Sequence, residues 1–473
     1  MTNDTPTCLD TTRALPSQTV LQRMDAPGPR YTSYPTADRF SDEFDADALA
    51  HVLARRRQVD EAGAASPLSV YVHVPFCESV CYYCACNKVI TKHHERATPY
   101  LEALGQEMDL VVDHIGPLRS VAQLHLGGGS PTFLSDHEIG ALMRRLRGSF
   151  HLLPDAEVSI EVDPRTVDAA RLAHLRAQGF NRISFGIQDF DPDVQQAVHR
   201  IQSFESVRDL MQQARELGFS SINADLIYGL PLQTPESFAR TIAQVVELRP
   251  DRIALYAYAH LPDRFKPQRR IHASQLASPV ARVDMLATAM AEFQRRGYAY
   301  IGMDHFALPD DPLAVAMREG RLHRNFQGYS THPDCDLLGL GVSAIGRVCD
   351  SLYQNEKTLP EYYAALQAGR LPVARGLTLS ADDLVRRDII MALMCHGRVE
   401  FAGIERIHGV RMREAFAQEL ARLAPLAADG LVVVDDEAIR VTRSGWYLVR
   451  AVALVFDRYL EDSASRQRFS RIV

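Results

Sequence analysis

Four of the chain's eight cysteines, Cys77, Cys81, Cys84 and Cys86, fall within the segment "YVHVPFCESVCYYCACNK". The first three form C-x3-C-x2-C, a spacing that lets thiolates from one loop bind three irons of a 4Fe-4S cube and leaves the fourth iron without a protein ligand. An open iron is a place for chemistry. Zinc would require a fourth corner, which Cys86 could supply only by wrapping one short segment around all four, with strain. The other cysteines, Cys8, Cys335, Cys349 and Cys395, are scattered, so no disulfide framework is indicated and a reducing, cytoplasmic setting is expected.

Further groups with chemical potential recur at the ends of apolar runs. "LHLGGGSP" carries Gly128, Gly129 and Ser130, and consecutive glycines allow backbone to approach a ligand closely, although such turns are commonly only turns. "VSIEVDP" places Ser159, Glu161 and Asp163 on one face of a strand and Val158, Ile160 and Val162 on the other. Ser184, Gly186 and Gln188 repeat that parity, as do Asn223 and Asp225.

These groups must be carried by strands. "LSVYVHV", "AQLHLGGG", "VSIEVDP", "NRISFGIQ", "SINADLIYGL" and "RIALYAYAHL" alternate with amphipathic helical segments, the pattern of βα units in a parallel sheet. In one intervening segment Thr234 can cap, Pro235 suits the first helical position, and Phe238, Ile242, Val245 and Val246 form one stripe. A complete eight-stranded barrel fills its interior with bulky branched side chains; polar and small interior positions predict instead an open barrel that holds a ligand. An antiparallel sheet with one solvated face would alternate in the same way, but helices between the strands favour parallel crossovers.

The expected fold is α/β: a partial, open (β/α)6 barrel with an N-terminal arm and a smaller, mainly helical C-terminal domain. The expected divisions are residues 1–66 for the arm, 67–310 for the barrel, 311–358 for loops completing the site, and 359–473 for the covering domain. Tyr298 to Leu308 reads as one further strand. The hairpin and helix near the C-terminus could form a winged-helix-like module, but 52 basic against 59 acidic residues, a net charge of -7, give no electrostatic footprint for nucleic acid. No apolar run is long enough for a membrane span.

The three-cysteine loop after a first strand resembles the hallmark of the radical S-adenosylmethionine (SAM) superfamily. "GPRYTSYPTA", "YVHVPFCESVCYYCACNK", "LHLGGGSPTFL", "SIEVDPR", "FNRISFGIQDF", "DLIYGLP" and "HRNFQGYSTH" together resemble the oxygen-independent coproporphyrinogen III oxidases along nearly the whole chain. Two positions depart from the commonest family pattern, Tyr83 for Phe and Ser130 for Thr. The resemblance implies a radical SAM barrel holding one 4Fe-4S cluster on Cys77, Cys81 and Cys84, and two molecules of SAM. It implies decarboxylation of two propionates of coproporphyrinogen III to vinyl groups by a 5′-deoxyadenosyl radical, giving protoporphyrinogen IX. It also implies a monomer supplied with electrons by a donor such as flavodoxin or ferredoxin, with an unknown acceptor and no nucleic-acid or membrane partner.

By the same resemblance Gly128, Gly129 and Ser130 line the SAM sites, Glu161 receives ribose or amino groups, Tyr71 lies beside the cluster-bound SAM, and Tyr83, inside the cysteine loop, is a cofactor-binding aromatic. Gln188, Arg200 and Asp225 serve the second SAM. Ala259 and Ile345, which carry no chemical signal of their own, join the SAM surroundings. The stretch from Gly28 to Phe40 is expected to close over substrate, with Arg30 meeting a carboxylate and Tyr31 and Tyr34 offering aromatic surface to a tetrapyrrole. A haem chaperone that shares the cysteine loop is the alternative function; "PRYTSYPT", Cys86 and "RNFQGYST" resemble the oxidase instead.

Overall fold

A computed structural model describes residues 16–24, 26–63, 66–117, 119–332, 335–460 and 469–472; Cys8 and most of the first part of the expected arm lie outside them. Two helices, α1 (Gln18–Met24) and α2 (Ala46–Glu61), precede the barrel. Six strands, β1 (Leu68–Val74), β2 (Ser120–Gly128), β3 (His151–Val162), β4 (Arg182–Gln188), β5 (Ser221–Tyr228) and β6 (Arg252–Ala257), then run parallel as consecutive neighbours.

The connections are helical: α3 (Ala97–Ile115), α4 (Asp136–Ser149), α5 (Ala169–Ala177), α6 (Phe204–Glu216) and α7 (Pro235–Leu248). Their starts are set locally. Ser135 and Glu138 close a capping box on α4, and on α7 Thr234 accepts from the Ser237 N–H while Pro235 fills the first turn, where no N–H is needed. Phe238, Ile242, Val245 and Val246 of α7 are buried. After β6 comes α8 (Pro279–Arg295).

Tyr298 to Leu308 is a hairpin rather than one strand. β7 (Ala299–Gly302) and β8 (His305–Ala307) pair antiparallel, because Met303 and Asp304 both adopt positive φ and turn the chain between them. The stretch expected as loops also contains strands: β9 (His323–Asn325) and β10 (Gly328–Ser330) form a small hairpin, while β11 (Leu337–Leu340), β12 (Ile345–Val348) and β13 (Ser351–Asn355) join the main sheet, as does β14 (Val373–Thr378) beyond residue 358. They are short and interrupted by Gly339, Gly341 and Gly346, which obscures their alternation in sequence.

The resulting order is β14-β13-β12-β11-β1-β2-β3-β4-β5-β6-β8-β7. β11 is parallel to β1, and the flanking strands are antiparallel. The sheet does not close on itself, since β14 and β7 are its two ends. Register aligns the polar positions into rungs: Tyr71 lies opposite His125, His125 opposite Ser159, Ser159 opposite Arg182 and Arg182 opposite Ser221. A second rung joins Glu161, Ser184, Asn223 and Arg252. The alternate residues Val158, Ile160 and Val162 are buried in the apolar core.

The C-terminal region is mainly helical, led by α9 (Ala381–His396), with a small sheet of β15 (Arg398–Glu400), β16 (Val432–Val434) and β17 (Ala438–Val441) in the order β15-β17-β16. It packs on the β7 end of the large sheet, where Tyr447 meets the ring of Tyr300 at 4.9 Å and accepts from Gln294 at 2.7 Å. Among the described residues no helix is long and apolar enough to cross a membrane.

The N-terminal stretch does not present Tyr31 and Tyr34 to a ligand; each is 1% exposed and belongs to the main core. The Tyr31 hydroxyl donates to Asp457 at 3.0 Å. Buried Arg450 donates to the carbonyls of Pro29 and Arg471 at 3.1 and 2.9 Å and also to that of Gly28, clasping the N-terminal stretch to the C-terminal segment. Arg30 alone of the three faces the barrel, paired with Asp304 at 2.7 Å and lying over the Tyr256 ring.

Candidate active site

β1 ends at Val74, and the chain enters the cysteine loop through Phe76–Cys77, which pairs in parallel with Val89–Ile90. That pairing closes the base of the loop. The Gly129 N–H donates to the Val74 carbonyl and the Ser130 N–H to that of Phe76, each at 2.8 Å, so the glycine segment is laced to the strand that launches the cysteines. Both glycines are needed. Gly128 has φ +114, with the His73 ring 2.6 Å from where a Cβ would stand, and a Cβ on Gly129 would lie 2.7 Å from the Pro75 backbone.

A cavity of about 340 Å³ opens here. It gathers Cys77, Cys81 and Cys84 with Tyr83 on the loop, Gly128, Gly129 and Ser130 after β2, Glu161 on β3, Gln188 at the end of β4, Arg200, and Asp225 on β5. Tyr71 and Ile345 line an adjoining cavity of about 860 Å³ instead. Ala259, half-buried in the loop after β6, lines neither. A third cavity, about 360 Å³ and polar, lies deeper among His125, Glu157, Arg182 and Arg252. Glu161 lines all three.

Burial and the neighbouring thiols Cys84 and Cys81 push Cys77 up to about 12, so without a metal its proton stays; iron at the sulfur reverses that preference. A hydrogen bond from the Cys86 thiol favours the thiolate of Cys84 and keeps the proton on Cys86. Cys86 is also exposed, unlike Cys81. Among the described residues no three His, Cys, Asp or Glu side chains converge on a point that would hold a single metal ion. A cube fits this donor set better than zinc, because each cysteine of a cube binds a different iron.

Two arginines supply what the cysteine motif alone does not. Arg200 donates to Cys81 Sγ at 3.5 Å and Arg165 at 3.6 Å, and both pair with Asp163, at 3.2 and 2.6 Å. Burial opposes charge on Asp163, but the Arg165 hydrogen bond and the Arg200 field outweigh it and hold the carboxyl below its usual range. Asp163 shares the strand face of Glu161, and that parity was the only available signal for it; Arg165 carried none.

Glu161 accepts from the Gly128 N–H at 3.1 Å and contacts His125 Nε2 at 3.3 Å. Enclosure works against its charge, yet the His125 and Gly128 contacts keep it below the ordinary carboxylate range. Asp225 is pushed up to about 6 by burial, against hydrogen bonds from Ser184 at 2.7 Å and Asn223 at 2.8 Å. Tyr71 is fixed by stacking on His125 at 5.8 Å and by a 3.1 Å hydrogen bond to His73. The ensemble can bind a cluster at its rim and an adenosyl or amino-acid ligand along the polar strand ends.

Comparison with known proteins agrees with this geometry. Residues 71–245 match the Radical SAM superfamily and residues 379–448 the HemN C-terminal domain. The oxygen-independent coproporphyrinogen III oxidase of Escherichia coli (strain K12) is 49% identical over 457 residues, 96% of this chain and 98% of that protein. That of Pseudomonas aeruginosa is 49% identical over 456 residues, with the same coverage. The solved structure of coproporphyrinogen III oxidase (HemN) from Escherichia coli, described as a radical SAM enzyme, superposes with a TM-score of 0.87 at 49% identity, covering 91% of this chain and 98% of that one. The chain belongs to the oxygen-independent coproporphyrinogen III oxidase family of the radical SAM superfamily.

Proposed function

We propose that the chain converts coproporphyrinogen III to protoporphyrinogen IX without molecular oxygen, by oxidative decarboxylation of two propionates to vinyl groups in haem biosynthesis. The observation that carries this reading is the meeting of three cysteines of the C-x3-C-x2-C loop with the glycine segment, Glu161 and Arg200 in one cavity. A 4Fe-4S cluster on Cys77, Cys81 and Cys84, with SAM bound beside it, supplies the electron and the hydrogen-abstracting radical.

The chain's own residues bind and orient. Glu161, held as a carboxylate, accepts hydrogen bonds from SAM's amino or ribose groups. Gly128 and Gly129 let their segment pack closely on His73 and Pro75 while their backbone lines the cavity, and Tyr71 forms a rigid wall because both its ring and its hydroxyl are held. Arg200 and Arg165 offset the negative charge that thiolate ligation brings. Gln188, Arg200 and Asp225 serve a second SAM, one for each propionate. The strong likeness to named oxidases favours this reading over a haem chaperone.

The free thiols of the cysteine loop fit a reducing, cytoplasmic compartment, and the family resemblance implies a monomer that takes electrons from a donor such as a flavodoxin or ferredoxin. Anaerobic incubation of reconstituted protein with SAM, reductant and coproporphyrinogen III tests the reading. Protoporphyrinogen IX should form through a monovinyl intermediate with two methionines released per product. Absence of the product overturns the activity, and one methionine per product overturns the two-SAM scheme.

A further inference from the structure

The 860 Å³ cavity is lined by Tyr71, Glu161 and Cys86 on its inner side, and by Tyr256, Phe265 and Phe326 as aromatic walls. Its size lies within the roughly 300–1,000 Å³ range of small-molecule sites. Its charge is unusual. Five cations line it: Lys88, whose ammonium donates to the Cys84 and Cys86 carbonyls, Lys266, and the group Arg264, Lys357 and Arg375, of which, among the described residues, none is in an ion pair with a carboxylate. Among the described residues the only carboxylate in its lining is Glu161, already engaged by His125 and the Gly128 N–H.

The three cations feel one another. Burial, then the fields of Arg375 and Arg264, push the Lys357 ammonium below its ordinary range. Burial and Arg264 act in the same direction on Arg375, against the attraction of Asp38. Asp38 is itself engaged by Arg39 at 3.4 Å and by the Thr36 hydroxyl. Like charges held together without counterions are a cost that an anionic ligand removes.

The placement is built rather than incidental. Arg375, on β14, donates through Nε and Nη2 to Gln354 Oε1 on β13 at 2.9 and 2.7 Å, and its guanidinium lies over the Phe40 ring at 5.7 Å. Phe40 is fixed in turn, because Ser41 bridges to Gly376 on β14. The antiparallel extension of the sheet and the end of the N-terminal stretch thus cooperate to aim one guanidinium.

We infer that Arg264, Lys357 and Arg375 form the grip for the substrate's propionate carboxylates, with the tetrapyrrole against the aromatic walls. This rests on the coproporphyrinogen reading above. Two of the four carboxylates survive the reaction, so a grip on them holds substrate, intermediate and product alike.

Fluorescence titration of the reconstituted full-length protein with coproporphyrin III, and with its tetramethyl ester, tests the inference. Arg264→Gln, Lys357→Gln and Arg375→Gln should each weaken binding of the tetracarboxylate about tenfold, the worth of one charge-assisted hydrogen bond, and leave binding of the ester unchanged. KM for coproporphyrinogen III should rise in step, while iron content and thermal unfolding match wild type. Arg375→Lys should retain most of the binding; a loss equal to that of Arg375→Gln would point to packing on Phe40 and overturn the grip. Unchanged coproporphyrin binding in all three glutamine variants, with wild type turning over normally, overturns the grip and leaves the proposed function standing. A wild type that neither binds coproporphyrin III nor converts coproporphyrinogen III overturns both.

Discussion

Arg200 Nη1 lies 3.5 Å from Cys81 Sγ and 3.2 Å from Asp163 Oδ2, so one buried guanidinium joins the cysteine loop to the end of β3. Arg200→Met should remove both links and leave Asp163 to Arg165 alone. Breaking a buried pair costs about 3–5 kcal/mol, and the remaining partner places this variant at the lower end. Urea unfolding of the protein compared with Arg200→Met and Arg165→Met checks it, with the more exposed Arg165 expected to cost less.

The cysteines should separate cleanly. Cys77→Ser, Cys81→Ser and Cys84→Ser are expected to lose the visible absorption of the reconstituted cluster and its iron and sulfide. Cys86→Ser is expected to keep them, because Cys86 acts as a hydrogen-bond donor to Cys84 and serine can still donate. Iron analysis of the four proteins decides between this set and a four-thiolate site.

A buried acid links stability to pH. Glu107 on α3 accepts from the Tyr362 hydroxyl at 2.6 Å and the Gly341 N–H at 2.7 Å, yet burial raises it to about 7. A raised carboxyl pKa means that the folded state binds the proton more tightly than the unfolded chain. Its contribution is complete below about 4.5 and is lost as pH rises through about 7, a span worth roughly 3 kcal/mol. Unfolding free energy measured from pH 5 to 8 should therefore carry a falling component that Glu107→Gln lacks, even though the amide satisfies fewer of the donors and is less stable throughout.

Truncation before residue 41 should unfold or strongly destabilise the protein rather than simply open the site. Tyr31 and Tyr34 are core residues, and the carbonyls of Gly28 and Pro29 satisfy a buried arginine. The milder Tyr31→Phe removes only the hydroxyl bonded to Asp457 and should cost about 1–2 kcal/mol. Thermal melts of the two proteins, set beside their iron content, distinguish a structural segment from a lid.

The strands of the barrel were legible because each alternates polar and apolar residues within a few positions of chain. Ser159, Glu161 and Asp163 announce an inward face whatever lies elsewhere. The pairing of β11 with β1 was not legible, since it joins residues more than 260 apart and the strand itself is only Leu337–Leu340. Arg165 and the pairing of Asp163 with Arg200 were hidden for a related reason: that ion pair joins residues 37 apart, and each alone is an ordinary polar side chain. Tyr31 and Tyr34 misled in the opposite sense. Aromatic residues near prolines suit a recognition strip and a buried strap equally well, and only the Arg450 clasp distinguishes them.

That clasp has a consequence for biogenesis. In synthesis the cysteine loop emerges well before the segment that holds Gly28, Pro29 and Tyr31 through Arg450, Asp457 and Ser470. Until that segment emerges, the carbonyls of Gly28 and Pro29 lack the guanidinium that satisfies them, although Arg30 can already meet Asp304 and Ser41 can already bridge to Gly376. Full closure of the strap is therefore a late, long-range event in folding, set by contacts between residues more than 400 positions apart.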